Sequence, residues 1–417
     1  MKVFKFGGAS VKDAEGVQNL HRVLTQQGSE DTLIVVSAMG KMTNALEAVV
    51  GAYFDAPDQV APQLVSIQAY HFEIIEGLFA TETDAVKNEV LRLIEELNSF
   101  LKANKSPNRA FVYDQVVSFG ELISTRIIAA YLQAQAVPCL WLDARSCVKT
   151  DAYYRDANLD WDQTKTQIKS AVAGQATVIT QGFIGSDTNN FTTTLGREGS
   201  DYSAAIFAYA LDATSVTIWK DVPGVLNADP RVFDHTQLLH QISYREAIEL
   251  AFYGASVIHP KTLQPLQRKE IPLFVKSFIH PENPGTAVSK GQTLVPYMPC
   301  FILKKNQVLL RLSSLDFSFI VEDNISEIFR LLHQYQMRVE LIQNSAISFS
   351  VCIQNKYNRL PELVKALESN FKVTVHEEVN LYTIRHFDGA SMDRIRNNAN
   401  KVLLEQRTQE TVQFVTI

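Results

Sequence analysis

An apolar run at the start of the chain ends in Lys5-Phe6-Gly7-Gly8-Ala9-Ser10. Paired glycines let the backbone approach a ligand with no Cβ in the way, and their N–H groups can face an anion at a helix start. Lys5 adds a full positive charge, so the chemistry on offer is phosphate binding. The plain alternative is a strand-to-helix turn, which is what two such glycines most often make. A second group, Thr192-Thr193-Thr194-Leu195-Gly196-Arg197-Glu198-Gly199-Ser200-Asp201, leads into a helix expected over Tyr202–Leu211. Its hydroxyls, glycines, arginine and aspartate form an anion cradle. A cap at Ser200 or Asp201 accounts for neither the threonines nor Arg197. The third group is Lys220-Asp221-Val222-Pro223-Gly224-Val225, with Asp229-Pro230-Arg231 beyond it. Without a ligand it reads as a strand followed by two turns.

Two further groups have the same character. Val35-Val36-Ser37-Ala38-Met39-Gly40 with Thr43-Asn44 ends a strand in small hydroxyl residues, and Ser118-Phe119-Gly120-Glu121 sets a carboxylate within a helix. Such residues need a scaffold that gathers them, and the intervening sequence encodes one. Val3–Phe6, Thr32–Ser37, Pro138–Leu142, Thr177–Gln181, Ser215–Trp219 and Pro272–Lys276 are short apolar runs, as strands buried on both faces should be. Between them, Asp13–Gln26, Pro62–Phe79 and Asp84–Ala103 carry apolar residues at helical spacing. This alternation predicts an α/β fold, a mainly parallel sheet sandwiched by helices. All five groups then fall outside the carboxyl ends of strands, where open α/β sheets bind ligands.

Pro281–Pro299 reads as a connection, and the pattern beyond it changes. Gln307–Ser313, Asn324–Gln336, Arg338–Gln343, Ile347–Ile353, Leu360–Ser369 and Lys372–His376 give the order βαββαβ of a smaller α+β, ferredoxin-like sandwich. Asn380–Arg385, Met392–Leu404 and Thr411–Ile417 add β, α and β, an incomplete second unit. The whole chain has 417 residues, which suggests two or three domains. Its 39 basic and 45 acidic side chains give a net charge of −6, which argues against nucleic acid as a partner. The tail from Phe301 holds 14 basic and 13 acidic side chains, so the acidity lies in the front section, with 25 against 32. No apolar run could span a membrane and the N-terminus lacks a signal-peptide core, so a cytoplasmic protein is expected. The four cysteines show no metal-binding spacing, and no metal site is expected from side chains.

Taken together and in order, KFGGASV, VVSAMGKMTN, SFGELIST, QGFIG, TTTLGREGSDYSAA, WKDVPGVLNADPR, ELAFYGASVIHPKT and PENPGT resemble the aspartate kinases of the amino acid kinase superfamily. The resemblance covers nearly the whole chain. It implies an amino acid kinase domain over residues 1–280, a linker over 281–300 and an ACT-type regulatory region over 301–417, complete in 301–378 and partial in 379–417. The implied reaction is ATP plus L-aspartate giving 4-phospho-L-aspartate and ADP, the entry to lysine, threonine and methionine. By that resemblance Lys5, Asp201 and Lys220 are catalytic, with Asp201 holding Lys5 over the phosphates. Ser37, Thr43, Glu121 and Arg197 bind aspartate, Glu121 through its ammonium and Arg197 through its α-carboxylate. Gly7, Gly8, Ser10, Ser200, Lys220, Asp221, Arg231, Ser256 and Val257 fall at nucleotide positions, with Mg²⁺ carried by ATP.

Several positions depart from the commoner pattern. Ala9 stands for a threonine, Glu198 for Gly or Asn, Leu226 for a tyrosine against the nucleotide, and Ser256 for a lysine that assists at the phosphates. Lys220 is the expected replacement for that charge, with Lys261 the second candidate. A homodimer and feedback by lysine or threonine are the family's usual partners to these features. The rival readings are a kinase of a related amino acid, and a catalytically impaired amino acid kinase relative that senses an amino acid or nucleotide.

Overall fold

The computed structural model describes residues 1–81, 83–255, 258–291, 293–316 and 318–417. They form two compact units. The first comprises Met1–Val225, Leu238–Ile248 and Val257–Val295, and the second Leu226–Gln237, Glu249–Ser256 and Pro296–Ile417. The chain therefore crosses between the units several times, instead of once in the stretch 281–300. Among the described residues no helix is long and apolar enough to cross a membrane.

The first unit is built on an eight-stranded sheet with the order Leu140–Leu142, Thr177–Gln181, Thr32–Val36, Lys2–Phe6, Val216–Lys220, Leu273–Ser277, Thr286–Ser289 and Gln241–Ser243. The first six run parallel. Most of their residues are buried, as in a sheet covered on both faces, and every residue of Thr32–Val36 and Thr177–Gln181 is buried. The chain leaves Lys2–Phe6 toward one edge and returns to its other side at Val216–Lys220. That reversal opens a crevice at the carboxyl ends of these two strands.

Helix boundaries follow local chemistry. Asp13 caps Ala14–Gln27 by accepting a bond from the Gly16 N–H at 2.8 Å, and Gly28 ends it at φ +80°. Asn108 caps Arg109–Ala134, a 26-residue helix that carries Glu121 at its middle. Gly120 lets this helix approach the loop after Thr32–Val36, since a Cβ there would lie 2.9 Å from the Ala38 methyl.

Two stretches differ from the sequence reading. Thr192–Thr194 is a buried strand paired with Ile184–Ser186, and its hydroxyls are used internally. Thr194 Oγ1 donates to Asp114 at 2.8 Å, and Thr193 Oγ1 shares a hydrogen with Thr150 Oγ1 at 2.7 Å. The threonine run is thus structural. Thr286–Ser289, inside the expected linker, is a strand of the main sheet, antiparallel to Leu273–Ser277. Its alternation buries Thr286 and Val288, so the neighbouring prolines mark a turn within the first unit.

The second unit holds a six-stranded antiparallel sheet in the order Arg338–Asn344, Ser348–Gln354, Cys300–Ser314, Phe371–Arg385, Thr411–Thr416 and Val402–Arg407. Its two central strands are 15 residues long and serve both halves. One half is a complete sandwich, in which Leu310, Leu312, Phe349 and Val351 meet Ile328 and Leu332 of helix Glu322–Gln334 and Leu363 and Leu367 of helix Leu360–Leu367. In the other half, helix Gly389–Asn398 ends earlier than expected, and Val402–Arg407 is a strand. The fourth strand of this half comes from Cys300–Lys304, which pairs with Leu381–Arg385. Among the described residues this half has one helix, and Ala228 and Phe233 pack into the same cluster as Phe301, Ile384 and Phe414.

Candidate active site

A cleft of about 350 Å³ lies at the carboxyl ends of the parallel strands. Lys5, Ser37, Thr43, Glu121, Ser200, Asp201 and Lys220 line it, all expected from the sequence. Phe183, Gly196, Glu198 and Gly199 complete the wall. Lys5 and Lys220 come from adjacent parallel strands, Ser37 follows the strand on the other side, and Ser200 and Asp201 open the helix Gly199–Leu211.

Charge in the cleft is organised around Asp201. Lys5 Nζ stands 2.7 Å from Asp201 Oδ1, and Lys220 Nζ 3.8 Å from Oδ2. Lys5 is 9% exposed and Asp201 4%. Burial alone would raise the Asp201 carboxyl, but the two ammonium groups outweigh it and hold the carboxyl below the usual range. Around Asp201 two ammonium groups face one carboxylate, a locally positive cluster that suits a phosphate-bearing ligand, while Glu121 and Glu198 also line the cleft.

Glu121 has the opposite environment. It is 2% exposed, and Oε1 accepts the Ala38 N–H at 3.3 Å. Its Oε2 is buried and has no partner. Burial pushes this carboxyl up to about 8 despite the bond from Ala38. A buried carboxylate oxygen of this kind needs a donor, and an ammonium group would supply one.

Close backbone contacts fix the walls. A Cβ on Gly8 would lie 2.7 Å from the Ala38 carbonyl oxygen, and Gly40 N–H donates to Gly8 O at 3.0 Å. Gly182 meets Ser200 in the same way. Phe183 and Glu198 sit at φ +71° and +55°, conformations uncommon for large side chains. Phe183 is held there by its N–H on Ser203 Oγ at 2.8 Å and by its carbonyl on the Leu195 N–H at 2.9 Å. Glu198 also has a buried oxygen, Oε2, without a partner.

The remaining expected residues stand elsewhere. Among the described residues the cleft lining omits Gly7, Gly8, Ser10, Arg197, Asp221 and Arg231. Gly7 faces Lys5, since a Cβ there would lie 3.4 Å from its Nζ, and Ser10 is buried in the turn that follows. Arg197 and Asp221 are exposed. Arg231 belongs to the second unit, where its guanidinium binds both oxygens of Asp229 at 2.8 and 3.0 Å. Ser256 and Val257 lie outside the described residues. Lys261 is engaged with Asp156 at 2.7 Å and is not in the lining. Phe183 was missed although QGFIG stands out in the sequence, because its positive φ has no sequence signal.

A crevice at the reversal of a parallel sheet, with two lysines on one carboxylate and a buried carboxyl oxygen that lacks a partner, is a binding site suited to a small ligand bearing phosphate and ammonium groups. The amino acid kinase family profile matches residues 1–277. Lysine-sensitive aspartokinase 3 of Escherichia coli is 34% identical over 355 residues, 84% of this chain and 78% of that protein. Structures of the Escherichia coli enzyme, with lysine and aspartate in the T-state and with aspartate and ADP in the R-state, superpose with TM-scores of 0.82 and 0.81. Both are 29% identical and cover 100% of this chain and 96% of theirs. The chain spans 44% of the bifunctional aspartokinase/homoserine dehydrogenase of Daucus carota, at 28% identity over 96% of its own length. The chain belongs to the amino acid kinase family and, within it, to the aspartokinases.

Proposed function

We propose that this chain transfers the γ-phosphoryl group of ATP to the side-chain carboxylate of L-aspartate, giving 4-phospho-L-aspartate and ADP, the reaction of EC 2.7.2.4. The observation that carries this reading is the Lys5–Asp201–Lys220 cluster sharing one cleft with the unpartnered Glu121. The nucleophile is already an anion, so no general base is needed, and the work is positioning and charge neutralisation. Lys5 neutralises the transferring group, oriented by Asp201, with Gly7, Gly8, Ser10 and Ser200 around the phosphates. Lys220 supplies the cation that Ser256 lacks, and Asp221 and Arg231 serve the nucleotide. Glu121 takes the aspartate ammonium, Arg197 the α-carboxylate, and Ser37 and Thr43 flank the substrate. Mg²⁺ would enter on the oxygens of ATP and its waters.

In this reading residues 1–280 carry the catalysis and the tail is ACT-type, pairing two copies and receiving lysine or threonine as effector, in the cytoplasm. The deciding experiment is ADP release with ATP, Mg²⁺ and aspartate. Turnover that requires aspartate supports the kinase, whereas ATP binding without turnover makes the chain a sensor.

A further inference from the structure

The turn Leu195–Gly199 forms part of the cleft wall through Gly196, Glu198 and Gly199, and it carries Arg197. Two of its residues are left-handed, Gly196 at φ +78° and Glu198 at +55°. Such a turn holds one conformation only when its surroundings over-determine it. The surroundings here are specific. Lys261, in the first turn of helix Pro260–Lys269, donates to Asp156 Oδ1 at 2.7 Å and to the Leu195 carbonyl at 3.2 Å. Its ammonium also lies 5.3 Å from the Tyr202 ring, on the helix that follows the turn. Asp156 presses on the turn from the same side, since a Cβ on Gly196 would collide with its Oδ1. Ala157 N–H donates to Thr194 O at 2.9 Å and ties the Asp156 loop to the strand that enters the turn.

We propose that Lys261 and Asp156 form a clamp that sets the Leu195–Gly199 turn, and so are positioning residues for the aspartate end of the cleft. The inference rests on the reading above, in which Arg197 binds the substrate carboxylate. It assigns Lys261 a different task from the phosphate cation expected from the sequence. Its ammonium is committed to Asp156 and a backbone carbonyl, while Lys220 lines the cleft beside Asp201. Nor is the pair a stability device. Asp156 is 61% exposed at its side chain and Lys261 30%, and exposed ion pairs add little to folding.

The test uses the full chain with Lys261→Met, Asp156→Asn, the double variant and Lys261→Arg, in steady-state assays with thermal melts. Either single change should raise the aspartate KM about five- to tenfold while kcat and the ATP KM move less than about threefold. The double variant should be no worse than the worse single one, Lys261→Arg should restore most of the affinity, and the melts should coincide. An unchanged aspartate KM in both single variants overturns the clamp. A collapse of kcat at unchanged aspartate KM in Lys261→Met also overturns it and returns Lys261 to the phosphates. If the wild-type chain shows no aspartate-dependent turnover, the failure lies in the aspartate-kinase reading, and the clamp falls with it.

Discussion

Lys5 Nζ and Asp201 Oδ1 stand 2.7 Å apart with both side chains nearly excluded from water, and Lys220 approaches the other oxygen of the same carboxylate. Losing that carboxylate leaves the buried Lys5 ammonium without its charge partner. Asp201→Asn should therefore lower the melting temperature as well as abolish turnover, with a loss of about 3–5 kcal/mol for breaking a buried pair. The folded-state pKa of Asp201 lies below its ordinary value, so its contribution is present above the normal aspartate range and disappears as pH falls through the folded value. Melts of the two proteins should thus converge toward low pH, and a gap that stays constant would rule out this origin.

Glu121 works in the other direction. Its folded value of about 8 lies above that of an unfolded glutamate, so the protein gives up stability as pH rises between the two. Glu121→Gln should melt higher than wild type at pH 8.5, with the difference shrinking toward pH 5. The same variant should lose aspartate affinity by about tenfold or more, because a substrate ammonium no longer meets an opposite charge. A variant neither more stable at high pH nor weaker for aspartate would contradict the assignment.

In the proposed mechanism Lys220 supplies the charge that Ser256 lacks. Lys220→Ala should reduce kcat by about a hundredfold or more, the scale of losing one preorganised electrostatic contact at a transferring group. Stopped or coupled measurement of ADP formation under saturating substrates reads this directly. Retention of the wild-type kcat would mean that no lysine at this position replaces the family's usual one.

Away from the cleft, His71 is wholly buried in helix Val60–Leu78, with Nδ1–H on the Ile67 carbonyl at 2.7 Å. Burial lowers its pKa to about 4, against the opposing effect of that bond. Above pH 6.5 it costs nothing, and from there down to 4 the unfolded chain takes up a proton that the folded one refuses. The loss amounts to about 3 kcal/mol at the low end. Wild type should lose melting temperature faster than His71→Met between pH 6.5 and 4.5, and parallel slopes would exclude His71 as the cause.

The tail makes a simpler demand. Lysine or threonine, titrated separately at subsaturating aspartate, should inhibit turnover, and indifference to both would leave the ACT-type region an assembly element.

What the sequence made legible follows from which forces act locally. Thr177–Gln181 is found to the residue, because the β-branched run Thr177-Val178-Ile179-Thr180 favours a strand by its own composition. Helix Ala14–Gln27 is found through Asp13 and Gly28, whose roles are settled within a few residues. Thr192–Thr194 was misjudged because its hydroxyls are satisfied by Asp114 and Thr150, some 80 and 43 positions away. Likewise the strand Val402–Arg407 owes its state to pairing with Thr411–Thr416, not to its own composition. In the cleft, residue types announced Lys5, Asp201 and Glu121, but the left-handed Phe183 and Glu198 and the burial of Glu121 arise only from packing.

The strand Cys300–Lys304 has a consequence for how the tail comes into being. It precedes the complete sandwich in the chain yet belongs to the incomplete one, pairing Cys300 with Arg385. Nearly the whole complete sandwich is thus a loop that must be closed before these partners can meet, and closing long loops is entropically slow unless something shortens them. The complete sandwich does so, because its own first and last strands bring Lys304 and Leu381 together. The topology predicts an ordered assembly in which the inner sandwich folds first and delivers both halves of the outer one, so that cutting the chain between them should leave neither the leading strand nor the trailing segment a sheet to join.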